Sequence, residues 1–278
     1  MIEIIAECGI NHCGRLDDAI RLVDAAHDAG AHIVKFQIYH TELMVREVPN
    51  KARLKLYELT MSEHRLLKDY CDGIGIGWLV SCFDIAAVEV ALALDAKRVK
   101  LGSGEIVNHG LIRYIAESGL DLLLSTGAST IDEVFKAAEV FNTWSTAERS
   151  YKRLALLHCV SNYPSALEHC NLRAITTLKH NFHCPVGWSD HTTGFDSAVA
   201  AVGVGADIIE KHIMLSPGCP DEAVSLTPEN FRGYVATIRR AEAMMGDGEK
   251  ELRPNEAAMR DAMRYRWHPG PVKEELVD

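Results

Sequence analysis

Eight short apolar, β-branched runs recur along the chain, each separated from the next by a longer stretch of helical spacing, and this alternation limits the fold more than any other feature. The runs cover residues 2–6, 32–37, 77–81, 98–101, 121–125, 153–159, 185–188 and 207–211. The stretches between them are amphipathic: Leu16, Ile20, Val23 and Ala26, for example, fall on one helical face. Gly30, Gly75, Gly119 and Gly205 each close such a stretch just before a strand, where a left-handed C-cap is needed. Parallel strands require crossover helices, and eight βα units close naturally on themselves. The expected fold is therefore α/β, a single (β/α)8 TIM barrel. An open doubly wound sheet is the alternative, but no Gly-x-Gly-x-x-Gly follows the first run, and Gly102-Ser-Gly104 is too short to be that fingerprint.

The barrel is assigned to residues 1–250, and residues 251–278 to a last helix (255–265) with a loose tail. A long connection, residues 41–62, is expected to act as a lid over the active face. With 47% hydrophobic and 24% charged residues the chain can bury a core of this size. A net charge of −10 argues against general affinity for nucleic acid or anionic membrane, so an anionic ligand would have to be met by placed lysines. The N-terminus enters a strand pattern without a basic leader, and no run approaches the roughly 18 apolar residues of a membrane span. A cytoplasmic protein is expected. Its eight cysteines show no C-x-x-C spacing and are expected to be free thiols.

Active sites of barrels lie at the C-terminal ends of the strands, and nearly every run here ends on polar residues. In order they are Glu7; Lys35 and Gln37; Ser81 and Asp84; Lys100, Ser103 and Glu105; Ser125 and Thr126; His158, Ser161, Asn162 and Tyr163; Ser189, Asp190 and His191; and Glu210, Lys211 and His212. Strand ends need polar caps, so no single one of these residues is decisive. Lys35 and Lys100 together with Ser103, Ser125 and Ser189 are more telling, because two cations with hydroxyl donors are what a phosphate or carboxylate requires. His191 and His212, delivered from consecutive strand ends without a thiolate, suit a divalent ion such as Mn²⁺, with open positions for substrate.

At these residues the chain resembles the sialic acid synthase family, which condenses phosphoenolpyruvate with an amino-sugar aldehyde to give a nine-carbon 2-keto-3-deoxy acid. The shared motifs include Ala6-Glu-Cys-Gly-Ile-Asn-His-Cys-Gly14, Val34-Lys-Phe-Gln37, Lys100-Leu-Gly-Ser-Gly-Glu105, Leu124-Ser-Thr-Gly127, Leu157-His-Cys-Val-Ser-Asn-Tyr-Pro164, Gly187-Trp-Ser-Asp-His-Thr192 and Glu210-Lys-His212. The resemblance implies that Lys35, Lys100, Ser103, Ser125, Asn162 and Ser189 hold phosphoenolpyruvate, with Gln37 and Ser81 close by. It implies that His191 and His212 ligate Mn²⁺, with Mg²⁺ or Co²⁺ as alternatives. Glu7 and Glu105 would flank the reacting carbons as proton-transfer groups, and Tyr163 and Asp221 would face the sugar.

Three departures from the family pattern fall on the acceptor side. The C-terminal antifreeze-like domain that family members carry is expected to be missing, which would leave the sugar site incomplete unless a separate lid protein restores it; a homodimer is the other partner considered. Gly-Pro-Asp-His becomes Cys219-Pro-Asp-Glu222, and Thr-Pro-Phe-Asp becomes Ser81-Cys-Phe-Asp84. The alternative function is a non-catalytic or partner-dependent barrel subunit that binds phosphoenolpyruvate or a sugar acid.

Overall fold

A computed structural model describes residues 1–43, 51–145 and 153–264 of the chain. Its strands are β1 (Glu3–Gly9), β2 (Ile33–Ile38), β3 (Gly77–Cys82), β4 (Arg98–Leu101), β5 (Asp121–Ser125), β6 (Leu154–Cys159), β7 (Val186–Asp190) and β8 (Ile208–His212). All neighbours pair in parallel, and β8 returns to β1, so the sheet is the closed eight-stranded barrel that the alternation predicts. Five strands, β1, β2, β3, β7 and β8, run further at their C-terminal ends than the apolar pattern marks. β7 continues through Ser189 and Asp190 because these residues pair with Glu210 and Lys211, and β8 extends to His212 beside Glu7.

The helices are α1 (Leu16–Asp28), α2 (Lys51–Tyr57), α3 (Met61–Ile74), α4 (Ile85–Ala93), α5 (His109–Ser118), α6 (Ile131–Trp144), α7 (Arg173–Phe182), α8 (Asp196–Gly203), α9 (Pro228–Met245) and α10 (Ala257–Arg264). Helices α3 and α6 start in full capping boxes, Thr60 with Glu63 and Thr130 with Glu133, which satisfy otherwise orphaned backbone donors. Gly30, Gly75, Gly119 and Gly205 all take φ between +83° and +86°, the left-handed conformation expected of them at helix ends.

Alternation along each strand separates two buried regions. Outward positions such as Ile4, Val34, Val80, Val99, Leu122, Leu156 and Ile209 join the helices in the main core. Inward positions Ile5, Leu79, Leu123, Ala155, Leu157 and Ile208 form a separate apolar plug inside the barrel. Each such buried Leu or Ile stabilises the fold by about 2 kcal/mol, and the plug closes the barrel beneath the site.

The compact barrel unit spans Met1–Met244, and a smaller unit spans Met245–Asp278. In the smaller unit a turn at Pro254–Glu256 leads into α10, and Arg253 pairs with Asp247 at 2.8 Å. Tyr265, where the last helix was expected to end, lies outside the described residues. So do residues 44–50 of the expected lid. The described part of that connection holds α2, anchored by the Tyr39 hydroxyl donating to the Leu54 carbonyl at 2.9 Å. No helix among the described residues is long and apolar enough to cross a membrane. All eight cysteines are unpaired, six of them buried.

Candidate active site

Above the apolar plug the inward positions turn polar. Glu7, Lys35, Ser81, Lys100, Ser125, Ser189 and Glu210 are each at most 6% exposed. With Gln37, Phe83, Ser103, Cys159, Ser161, Tyr163, His191 and His212 they line one cavity of about 400 Å³ at the C-terminal mouth of the barrel.

An ion network forms its floor. Lys35 Nζ lies 2.6 Å from Glu210 Oε2 and 3.3 Å from Glu7 Oε2, while Lys100 Nζ is 3.2 Å from Glu210 Oε1. Ser189 Oγ donates to the same Glu210 oxygen at 2.8 Å. Burial opposes every charge here, and the neighbours decide which groups keep theirs. For Lys35 burial favours the neutral amine, but Glu210 and Glu7 outweigh it and hold the pKa above the usual lysine range. For Lys100 burial prevails and lowers the pKa, although Glu210 opposes it. Burial also works against Glu210, yet Lys100 and Lys35 keep its carboxyl well below the ordinary range. Glu7 goes the other way, since burial raises it more than Lys35 lowers it. Two carboxyl groups in one cavity are thus driven apart, Glu210 toward the ion and Glu7 toward the acid.

Hydroxyls crowd one wall. The Gly127 amide donates to Ser103 Oγ at 3.0 Å, and Ser103 Oγ lies 3.2 Å from the Cys159 thiol. A Cβ on Gly127 would fall 2.5 Å from Ser161 Oγ and 2.8 Å from both Cys159 Sγ and Ser103 Oγ, so only glycine leaves this cradle open. Hydroxyl donors beside Lys100 suit the oxygens of a small anion.

The two histidines adjoin the floor: His191 Nε2 lies 3.4 Å from Ser189 Oγ, and His212 stands beside Glu7 in the strand register. His191 Nδ1 lies 2.8 Å from the Val160 carbonyl, and because a carbonyl only accepts, Nδ1 carries the proton and Nε2 keeps its lone pair. Burial, reinforced by His212, lowers His191 to about 4. His212 Nδ1 lies 3.3 Å from Asp221 Oδ2, whose pKa burial would raise but His212 pulls below the usual range. The imidazole centroids are 5.7 Å apart, and Tyr163 stacks on His191 at 4.1 Å. Among the described residues no group of three or more His, Cys, Asp or Glu side chains could hold a metal ion. A cation here would take two imidazoles from the protein and keep its other positions open, which fits the lone pair on His191 Nε2 and the carboxylate behind His212.

Of the residues expected from the sequence, Glu7, Lys35, Gln37, Ser81, Lys100, Ser103, Ser125, Tyr163, Ser189, His191 and His212 are brought together around the cavity. Asp221 stands behind His212. Glu105 and Asn162 are not among the lining residues: the Glu105 carboxylate accepts from Asn108 Nδ2 at 2.8 Å, and Asn162 is exposed. Glu222, which departs from the family motif, turns back to accept from the Gly218 amide at 2.7 Å and also lies off the lining.

Glu210, the centre of the floor, was not singled out from sequence beyond its place among the strand-end polar residues. Its signal was present, because in Asp207-Ile-Ile-Glu-Lys-His212 the strand period of two puts Glu210 on the side of His212. The same period puts Asp190 and Lys211 on the outer face of the barrel.

Comparison with known proteins then fixes the family, since the NeuB family model matches residues 22–250. The chain belongs to the NeuB family. Among NeuB relatives it is 38% identical over 279 residues to the N,N'-diacetyllegionaminic acid synthase of Legionella pneumophila, covering 94% of this chain and 78% of that one. It is 30% identical over 277 residues to the human N-acetylneuraminate-9-phosphate synthase, covering 94% and 76%. The crystal structure of the N-acetylneuraminic acid synthetase of Leptospira borgpetersenii, in complex with citrate, superposes with a TM-score of 0.86 at 32% identity, covering 97% of this chain and 93% of that one. The NeuB reaction is a phosphoenolpyruvate-dependent aldol-type condensation that yields a 2-keto-3-deoxy sugar acid, and this chain is a transferase of that kind, forming a C–C bond.

Proposed function

We propose that the enzyme holds phosphoenolpyruvate between the lysine floor and the hydroxyl cradle and condenses it with an unphosphorylated amino-sugar aldehyde. Lys35 and Lys100 pair with the donor's anionic groups, and Ser103, Ser125 and Ser189 donate to its oxygens, with Gln37 and Ser81 at its edge. Ser161 takes the part expected of Asn162. His191 and His212 hold a divalent cation, Mn²⁺ by their chemistry, with Asp221 orienting His212. When bound, that cation polarises the carbonyl of the acceptor.

The protein side of the reaction then follows. The floor fixes C3 of phosphoenolpyruvate against the aldehyde carbon, so the C–C bond forms between held partners. Glu7, the buried carboxyl whose pKa burial raises against the pull of Lys35, is the group placed to pass a proton to the aldehyde oxygen as that bond forms. Water adds to the electron-poor C2 and returns a proton to Glu7. The resulting tetrahedral carbon expels phosphate by C–O cleavage, its hydroxyl proton leaving with the phosphate, and a ketone remains.

The acceptor reading rests on charge. Lys35 and Lys100 are the only lysine or arginine side chains among the described lining residues, and the donor's anionic groups take both at the floor, which leaves no further ammonium or guanidinium for an acceptor phosphate. Toward the mouth stand Tyr163, Phe83 and Gln37, which suit a neutral polyol chain better than a phosphate. Relatives named for N,N'-diacetyllegionaminic and pseudaminic acid are in keeping with that choice.

The observation that carries the whole is two buried lysines sharing Glu210 in the cavity that His191 and His212 also line. Phosphate release would be followed with phosphoenolpyruvate, Mn²⁺ and a panel of amino-sugar aldehydes, with the product mass determined. Release only with phosphorylated aldehydes would overturn the acceptor assignment, and release that ignores the aldehyde would overturn the condensation.

A further inference from the structure

Directly outside the barrel, behind the two histidines, lies a second polar cluster that no step of the reaction uses. Asp190 and Lys211 are both fully buried, 3.6 Å apart, on the outer faces of β7 and β8. Lys211 Nζ donates to the backbone carbonyls of Asp190 and Thr192. Asp190 Oδ1 accepts from both the amide and the hydroxyl of Thr192 at 2.8 Å, and its Oδ2 accepts from the Tyr234 hydroxyl of α9, also at 2.8 Å. The Thr192 hydroxyl reaches Ser197 of α8 at 3.0 Å. Phe195 packs edge-on against the Tyr234 ring at 5.5 Å.

Such a cluster is a poor source of stability, because an apolar packing of similar volume is often as stable as a buried ion pair. What it does provide is fixed position. Every bond named converges on residues 190 and 192, the two chain neighbours of His191. The His191 carbonyl is held as well, by the Ser165 amide at 2.9 Å. The backbone on both sides of this histidine is thus tied to α9, α8 and β8, while its ring is tied to Val160.

We infer that Tyr234, with Lys211, is a positioning residue that acts through Asp190 to aim His191 at the metal. The inference rests on the proposed metal reading. It goes beyond that reading by giving α9, on the outside of the barrel, a part in cation affinity. Loss of a group hydrogen-bonded directly to a metal ligand weakens binding by about 10–100-fold, and for Tyr234, which acts one link further out, the lower end of about tenfold is expected.

The test measures the Kd for Mn²⁺, by calorimetry or by the free-ion resonance signal, in the absence of substrates. Wild type, Tyr234→Phe, His191→Ala and Tyr70→Phe would be compared. Tyr70 donates to Asp24 far from the site, so its variant reports what the loss of a remote tyrosine hydrogen bond does to the fold alone. Tyr234→Phe is expected to raise Kd about tenfold and Tyr70→Phe to leave it unchanged, with His191→Ala abolishing saturable binding. If wild type and His191→Ala bind alike, the metal reading itself falls. If His191→Ala loses binding but Tyr234→Phe matches wild type, the metal reading stands and the positioning role is overturned. Should Tyr234→Phe fail to fold, Thr192→Val removes the next link and faces the same comparison.

Discussion

Lys35 and Glu210 form a 2.6 Å ion pair at the floor of the barrel cavity, each only 2% exposed. Neither charge would survive alone at that depth. On the proposed binding mode the pair keeps a cation ready for the anionic donor, and Glu210 also pairs with Lys100 at 3.2 Å.

Replacing Glu210 by Gln should therefore leave two buried ammonium groups without their shared partner. Removing one member of a buried ion pair costs about 3–5 kcal/mol. A substrate anion can fill that role, so phosphoenolpyruvate should raise the melting temperature of Glu210→Gln by more than it raises that of wild type. Equal ligand-induced shifts would show that Glu210 does not balance the lysines.

Glu7 and Glu105 both follow strands, but only Glu7 lines the cavity. Glu7→Gln is expected to lower kcat by about 10²–10⁴, the range for loss of a proton-transfer group. Glu105→Gln should leave kcat near wild type, because its carboxylate is turned to Asn108. Steady-state kinetics of the two variants separate them, and a large kcat loss in Glu105→Gln would restore its expected catalytic role.

Gly127→Ala places a methyl group 2.5 Å from Ser161 Oγ and 2.8 Å from Ser103 Oγ. The hydroxyls must move apart, and a displacement of about 1 Å in a positioned site costs on the order of 10²-fold in rate. KM for phosphoenolpyruvate should rise while KM for the aldehyde stays close to wild type. A rise confined to the aldehyde would place the cradle on the wrong substrate.

His64, 1% exposed beside Trp78, has no hydrogen-bond partner for either ring nitrogen among the described residues. Burial, aided by His12, lowers its pKa from 6.5 to about 4. The unfolded chain takes up this proton first as pH falls, so the contribution is complete above pH 6.5 and is lost progressively down to about pH 4. The loss is on the order of 3 kcal/mol. His64→Leu should flatten the fall in melting temperature across that window, and an unchanged slope would assign the acid sensitivity elsewhere.

The barrel was legible because eight short apolar runs alternating with helical patterns, and four C-cap glycines, all point to one topology. The lysines, serines and histidines that line the cavity were legible because strand ends define the active face. Other features depend on direction, which strand-end position alone does not give. Glu105 follows β4 as closely as Ser103 does, yet one short turn sends its carboxylate to Asn108 while Ser103 faces Gly127. Glu222 looked like a charge placed in the acceptor site, whereas its own loop takes that carboxylate as a cap for the Gly218 amide. Lys211 and Asp190 read as site residues by position, but the pleat turns them outward to Tyr234. Applying the strand period to β8 residue by residue would have recovered both Glu210 and Lys211.

The apolar plug of Ile5, Leu79, Leu123, Ala155, Leu157 and Ile208 fills the barrel beneath the cavity, so among the described residues the way in lies at the C-terminal mouth. On the proposed binding mode, traffic would be last in, first out. The donor, bound to the deep lysines, would enter before an aldehyde occupied the space under Tyr163, and phosphate on the floor would leave only after the acceptor-derived chain had cleared the mouth. Order of binding and release is in that sense written into the layer of side chains that touches neither substrate.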